Sequence, residues 1–364
     1  MNKLFISVAL FCVFITTSSV IAQDNQKDEL FFDGPYIFYE RDSLNIMYAI
    51  EDSAFSFNIK MDQKTVFNGF QKDSFKTYFV PQSFIDEQYE FAKRKKILVI
   101  SDVHGQYDIF RTLLLSSGVI DANNNWAWGK GHLVILGDTF DKGEMVHECL
   151  WLIYNLEEQA REAGGFVHFI LGNHEVKALR GDLKYVTPNY FKLAEVLSIP
   201  IPDLYKMNTF WGRWLRSKNV IIKIDDLLFV HGGIHPEIVT EDYTITKINR
   251  IMRENIDLSL DEIKKDSTLS FLFRKNGPIR YRGFFQPDTL AEVSNNQITK
   301  ILNYFDVEKI VVGHTSGEHI YTSHNNRVIC VDGRIMYGLG SEVLLIKKNK
   351  YFVIDKEGNK RKLF

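Results

Sequence analysis

Cysteine is scarce in this 364-residue chain. The three present, Cys12, Cys149 and Cys330, are too few for a disulfide framework, and their spacing matches no zinc motif. Cys149 falls on the series Met145, Cys149, Leu152, Leu156, the spacing of a buried helix face, and Cys330 closes an apolar run. Both read as small core residues rather than nucleophiles. An excess of one charge is also lacking. The 44 Lys and Arg against 46 Asp and Glu leave a net charge of −2, so no global basic field gathers nucleic acid and none is expected as a partner. With 8 Pro and 23 Gly, collagen-like and proline-rich disordered classes are excluded. What remains is an ordinary globular composition, 45% apolar and 25% charged, in one large domain or two smaller ones. A chain of this length buries a core without disulfides or structural metals.

The first 22 residues differ in kind. Lys3 supplies a positive start, Leu4 to Ile15 is apolar, and Thr16 to Ala22 is small and polar, ending Val20-Ile21-Ala22. This is the pattern of a signal peptide cleaved after Ala22, which predicts a periplasmic or secreted protein. The apolar run is short for a membrane anchor, so membrane contact is expected only through this segment if it stays uncleaved.

Residues 23–92 read as a β-rich segment. Pro35–Tyr39, Ser43–Ile50 and Ala54–Met61 are aromatic and β-branched, with polar breaks between them. Such a sheet is too small to be stable alone and is expected to pack on the C-terminal remainder of the chain. The run Lys93-Arg94-Lys95-Lys96 reads as a solvated boundary. Beyond it, residues 93–364 alternate. Ile97–Ile100, Leu133–Leu136, Phe166–Leu171, Leu227–Val230 and Ile310–Val312 are continuous apolar runs suited to strands buried on both faces. Helical patterns at Ile109–Leu115, Met145–Ala160 and Ile298, Ile301, Leu302, Phe305 lie between them. The fold class is therefore α/β, sheet covered by helices. The stretch Lys177–Ser217, rich in Trp, Tyr and Phe, interrupts the alternation and reads as a mostly helical insertion near the site.

Every one of those five strands runs into polar residues able to bind metal. Ile100 leads to Ser101-Asp102-Val103-His104-Gly105, and Leu136 to Gly137-Asp138-Thr139-Phe140-Asp141-Lys142-Gly143. Leu171 leads to Gly172-Asn173-His174-Glu175, Val230 to His231-Gly232-Gly233, and Val312 to Gly313-His314-Thr315. Sites in α/β sheets form beyond the carboxyl ends of strands, so five such ends point to one shared centre. In an extended chain residues i and i+2 point the same way, which would let Asp102 and His104 grip one ion. The interspersed glycines allow sharp turns and close approach. Carboxylate, imidazole and amide donors without thiolate suit manganese, iron or zinc. A shared carboxylate would hold two ions about 3.5–4 Å apart, as in two-metal hydrolases.

These motifs, in this order, resemble the calcineurin-like metallophosphoesterases, and within them the Shewanella-like branch of the phosphoprotein phosphatases. Leu179-Arg180-Gly181-Asp182, Gly212-Arg213-Trp214-Leu215 and Gly277-Pro278-Ile279-Arg280-Tyr281-Arg282-Gly283 carry the likeness to that branch. The resemblance covers roughly residues 96 to 345. It implies β-sheet layers flanked by helices. It also implies a two-metal centre: Asp102 and His104 on the first ion, Asp138 bridging, Asn173, His231 and His314 on the second. His174 resembles the general acid and Asp141 the carboxylate that orients it. Arg282 or Arg280 is the phosphate clamp, with Asn173 and Lys142 as further phosphate contacts. Three positions depart from the family pattern. Lys142 stands where many relatives carry Arg, Leu171 where they carry another, and Ser101 in place of Gly. A lysine is a point charge and cannot grip phosphate as a bidentate fork.

The expected activity is phosphomonoester hydrolysis by hydroxide held between the metals, on a phosphorylated protein (Ser/Thr or Tyr) or a small phosphoester. A phosphodiesterase or nucleotide phosphohydrolase on the same metals is the alternative, and a non-catalytic exported binding protein a more distant one. Of the other histidines, His132, His147, His168, His319 and His324 read as structural or solvated; His235, just after His-Gly-Gly, reads first as structural and only second as a pocket-lining residue. Asp182, Tyr185 and Arg213 read either as the substrate rim or as ordinary surface.

Overall fold

The apolar runs become the inner strands of a two-sheet sandwich. The computed structural model describes residues 31–62, 64–71, 74–92, 96–286, 293–338 and 341–364. The segment read as a signal peptide and Lys93-Arg94-Lys95 lie outside them. β1 (Phe32–Tyr39), β2 (Ser43–Ile50) and β3 (Ser53–Lys60) form an antiparallel meander. β4 (Lys64–Gln71) and β5 (Ser74–Pro81) form a separate hairpin. Then come β6 (Glu90–Phe91), β7 (Lys96–Ile100), β8 (His132–Ile135) and β9 (Phe166–Phe169). β10 (Ile221–Ile224), β11 (Leu227–Val230) and β12 (Lys309–Val312) follow. β13 (Tyr321–Ser323), β14 (Val328–Cys330), β15 (Glu342–Lys347), β16 (Lys350–Asp355) and β17 (Lys360–Lys362) complete the described strands.

One six-stranded sheet has the order β17-β16-β15-β7-β8-β9, the other β13-β14-β12-β11-β10-β6. Strands β7, β8 and β9 are parallel, as are β11, β12 and β14, so the carboxyl ends that carry the polar motifs emerge together. Successive side chains on a strand face opposite ways. Ile97, Val99, Val134, Phe229, Val311 and Leu344 pack between the sheets. Leu98, Ile100, Leu133, Ile135, Leu228 and Ile310 join the core beneath the helices. Both faces are covered, which is why these runs are continuously apolar.

Ten α-helices lie among the described residues. α1 (Tyr107–Ser116) and α2 (Val146–Glu162) cover the first sheet, and Cys149 lies wholly buried on α2. α3 (Asn173–Leu179) runs into the predicted insertion, and α4 (Pro188–Leu197) and α5 (Phe210–Arg216) lie within it. Its tryptophans are core: Trp211 and Trp214 pack with Phe210 and Trp151 away from the metal ligands. α6 (Glu237–Thr240), α7 (Ile245–Glu254), α8 (Leu260–Lys265) and α9 (Ser267–Phe273) precede α10 (Asn295–Phe305). The last begins at a Ser294/Gln297 capping box and buries Ile298, Ile301, Leu302 and Phe305, the face its spacing predicts. Among the described residues no helix is long and apolar enough to cross a membrane.

The N-terminal strands seat on α2 and α5. Tyr78 meets Trp151 edge to face at 4.6 Å, and the Tyr36 hydroxyl lies 2.8 Å from His147 Nδ1. Arg213 stacks over Tyr39 at 3.6 Å and donates to the carbonyls of Met207 and Gln82. The reading of Arg213 as a substrate-rim residue is therefore corrected: its planar cation is spent on clamping the N-terminal sheet.

Candidate two-metal phosphoester site

Asp138 is the centre of the site. Its Oδ2 lies 3.2 Å from His231 Nε2, 3.9 Å from His104 Nε2 and 3.8 Å from His174 Nε2. Asp138, His231 and His314 place ligand atoms within 4.8 Å of one another, and so do Asp138, His104 and His174. Asp102 Oδ1 stands 4.0 Å from His104 Nε2, while its Oδ2 accepts from Ser101 Oγ at 2.5 Å and the His314 N–H at 2.9 Å. His104, His231 and His314 thus gather around Asp138, with Asp102 beside His104 and Asn173 bordering the same cavity.

The backbone gets there differently from expectation. Asp102 and His104 are not extended; their φ values are 52° and 47°. The loop pairs instead with the next strand end: the N–H groups of Asp102, His104 and Gly105 donate to the carbonyls of Gly137, Asp138 and Thr139. Asp138 and His314 are also left-handed, at 54° and 64°. Each such residue costs about 1–2 kcal/mol unless its surroundings hold it. Left-handed geometry at four ligands is strain concentrated at a working site. Gly313 permits the close packing, since a Cβ there would lie 2.6 Å from Asp102 Oδ2. At Gly172 a Cβ would run into Asp138 itself.

The donors fit metal ions. A carbonyl can only accept, so His104 Nδ1, 2.7 Å from Phe140 O, and His231 Nδ1, 2.5 Å from Leu136 O, must both donate. Each ring therefore turns Nε2 toward Asp138, the nitrogen a metal ion would take while the protein holds the other. The buried amide oxygen of Asn173 has no hydrogen-bond partner, as befits a ligand atom. Burial and the neighbouring Asp332 push the Asp102 carboxyl well above the usual carboxylate range, a penalty that cations relieve. Burial also opposes ionisation of Asp138, but His231 and His174 outweigh it and hold that carboxyl well below its ordinary value. His231 in turn overcomes its burial through Asp138 and is raised to about 9.

His174 is the next residue outward. Its Nδ1 lies 2.5 Å from Asp141 Oδ2, which fixes the ring and leaves Nε2 facing the cavity. That cavity, about 720 Å³, is bordered by Asn173, His174, Lys142, Arg280 and Arg282, as well as by Asp182 and Tyr185. Lys142 Nζ reaches within 3.1 Å of His104 Nε2. His235 lies off the cavity. Its ring packs on Phe271 and Tyr281, which sets aside the second reading of it as a pocket-lining residue.

Four contributors were not assigned from sequence. Lys177 sits one helical turn after His174, 3.5 Å from its Nε2. Met336 contacts Lys142 through its sulfur at 3.1 Å. Glu175 is wholly buried and accepts backbone N–H bonds from the loops carrying Asp138 and Asn173. Asp332, beneath Asp102, accepts from Ser316 Oγ at 2.6 Å. It follows Cys330 and Val331 at a sixth strand end, where the rule that found the other ligands applies equally.

Parallel strand ends delivering Asp, His and Asn around one carboxylate define a dinuclear metal-dependent phosphoester hydrolase. The chain belongs to the calcineurin-like phosphoesterase family, which its residues 95–317 match. It is similar to the crystal structure of a cold-active protein-tyrosine phosphatase from a psychrophilic Shewanella species, with 38% identity and a TM-score of 0.84 over 92% of this chain and 100% of that one. It is 25% identical over 276 residues to Shewanella-like protein phosphatase 1 of Plasmodium berghei, spanning 71% of this chain and 73% of that one. It is 31% identical over 232 residues to Shewanella-like protein phosphatase 2 of Arabidopsis thaliana, 50% of this chain and 59% of that one. The chain is a metal-dependent phosphatase with Shewanella-like protein phosphatase relatives.

Proposed function

We propose that this phosphatase removes phosphate from phosphorylated proteins, phosphotyrosine foremost, after export from the cytoplasm. The observation that carries the reaction is the placement of His174 Nε2, held from behind by Asp141, beside the ligand cluster and facing the cavity. Asp102 and His104 would hold one ion, Asn173, His231 and His314 the other, and Asp138 both. Two such ions, manganese, iron or zinc by their donors, supply Lewis acidity toward phosphoryl oxygens and a water of lowered pKa. Arg280 and Arg282 neutralise the equatorial oxygens, with Lys142 and the Asn173 amide N–H adding single contacts. His174 gives its Nε2 proton to the departing oxygen, and Asp141 stabilises and orients the imidazolium. The preference for tyrosine is supported by likeness to the Shewanella enzyme.

Phosphopeptide profiling with metal analysis of the purified chain is the test. Turnover of phosphotyrosine peptides by protein holding two metals per chain is expected. Hydrolysis of bis-aryl phosphates or nucleotides without phosphopeptide turnover would overturn the reading. Export is supported by the Lys3 start and the Leu4–Ile15 apolar run. Expression of the whole chain in a Gram-negative host should give periplasmic protein beginning at Gln23. Cytoplasmic protein retaining Met1 would overturn it.

A further inference from the structure

The cavity holds more positive charge than one phosphoryl group can use. Beyond Lys142, Lys177, Arg280 and Arg282 near the ligands, its mouth carries Lys184 from the loop between α3 and α4, and Arg274 and Lys275 from the turn after α9. Among the described residues none of these seven cations forms an ion pair with a carboxylate. Elsewhere the same chain pairs such groups, as in Arg216–Asp257, Arg253–Asp86 and Lys264–Asp261. Outside the metal ligands, Asp182 is the one acid among the described lining residues. In a chain of net charge −2, this unpaired basic ring is a local feature of the site.

A phosphate monoester has one dianionic head, which two bound metals with Arg280 and Arg282 would neutralise. Lys184, Arg274 and Lys275 are exposed and come from two separate loops. The volume of about 720 Å³ also exceeds what a lone phosphoester fills and suits a side chain with its flanking residues. Leu260, 53% exposed at the same mouth, and Tyr185, 38% exposed, offer apolar wall to the carbon stems of such residues.

We infer that Lys184, Arg274 and Lys275 form a subsite for acidic side chains flanking the phosphorylated residue, so that the preferred substrate is a phosphopeptide segment rich in Asp and Glu. This rests on the phosphoprotein reading above. The subsite recognises a field rather than a fixed geometry. It acts on encounter and retention of the peptide and weakens with ionic strength.

The test uses the full metal-loaded chain and three phosphotyrosine peptides of equal length with acidic, neutral or basic flanks, alongside phenyl phosphate and ATP. kcat/KM for the acidic peptide should exceed that for the neutral one by about three- to thirtyfold at low salt, from two or three exposed ion pairs. The ratio should fall toward one at high salt. Lys184→Glu and the double variant Arg274→Glu/Lys275→Glu should each reduce it, and together reverse it. Equal kcat/KM for all three peptides overturns the subsite alone. ATP preferred over the acidic peptide overturns it in favour of polyphosphate recognition. Turnover of phenyl phosphate with none of the peptides overturns both the subsite and the phosphoprotein reading.

Discussion

The carboxylate of Glu175 accepts the backbone N–H of Asp138 at 2.8 Å and that of Gly172 at 2.7 Å. A side chain that faces no metal thereby joins the loop bearing the shared carboxylate to the turn bearing Asn173 and His174. It also takes the Thr139 N–H at 2.7 Å.

Glu175→Gln should loosen that joint. The amide keeps the shape but turns an NH₂ toward backbone donors, leaving a buried N–H unpaired at about 1–3 kcal/mol. Urea unfolding should show a loss of that size. kcat should fall about ten- to hundredfold, as when the support of a metal ligand is removed. Wild-type stability and rate would show that these bonds do not position the site.

Asp138→Asn should lower metal content and activity together, because a neutral amide bridges two cations poorly. Elemental analysis beside the assay checks this. Two metals per chain at wild-type rate would remove Asp138 from the centre.

His174→Asn should separate metal binding from proton transfer. Both metals and phosphate binding should persist, and kcat on alkyl phosphates should fall about a hundred- to ten-thousand-fold. The loss on p-nitrophenyl phosphate should be smaller, because that leaving group departs with less protonation. Asp141→Asn should follow the same trend more weakly. Metal loss, or an equal fall on both esters, would exclude the acid role.

His147 should make the fold sensitive to acid. Its buried ring, between the hydroxyls of Tyr36 at 2.8 Å and Tyr205 at 3.2 Å, has its pKa lowered by burial to about 3. An unfolded histidine titrates near ~6.5, so between pH ~6.5 and 3 the unfolded chain binds more protons and stability falls as pH falls. Asp33, 3.9 Å away and raised by burial and by Glu148, acts in the opposite sense as pH rises. The comparison of wild type with His147→Gln isolates the histidine. The variant's unfolding free energy should lose up to about one proton of pH dependence between pH 3.5 and 6. Identical slopes would show that His147 is already neutral or charged alike in both states.

Much of this molecule is legible along the chain. The inner strands announce themselves as short continuous apolar runs because both their faces are buried, and each stops where a ligand motif begins. The series Ile298, Ile301, Leu302, Phe305 fixes a helix face for the same reason. Arg213 and His235 were harder. Each sits in a motif near the site, yet one side chain turns to the N-terminal sheet and the other to Phe271. Which way a side chain leaves a motif depends on neighbours remote in sequence.

By itself the sequence determined which Asp, His and Asn residues stand at the strand ends, because apolar runs buried on both faces stop where those polar residues begin. The tertiary structure decided what those residues can do together. Left-handed turns at Asp102, His104, Asp138 and His314 arise from pairing between loops, not from any local pattern. The clamp from Glu175 and the buried carboxyl of Asp332 beside Asp102 exist only once separate strand ends meet. The mouth formed by Lys184, Arg274 and Lys275 joins residues some ninety positions apart, and charge in a cavity depends on distance in space rather than along the chain.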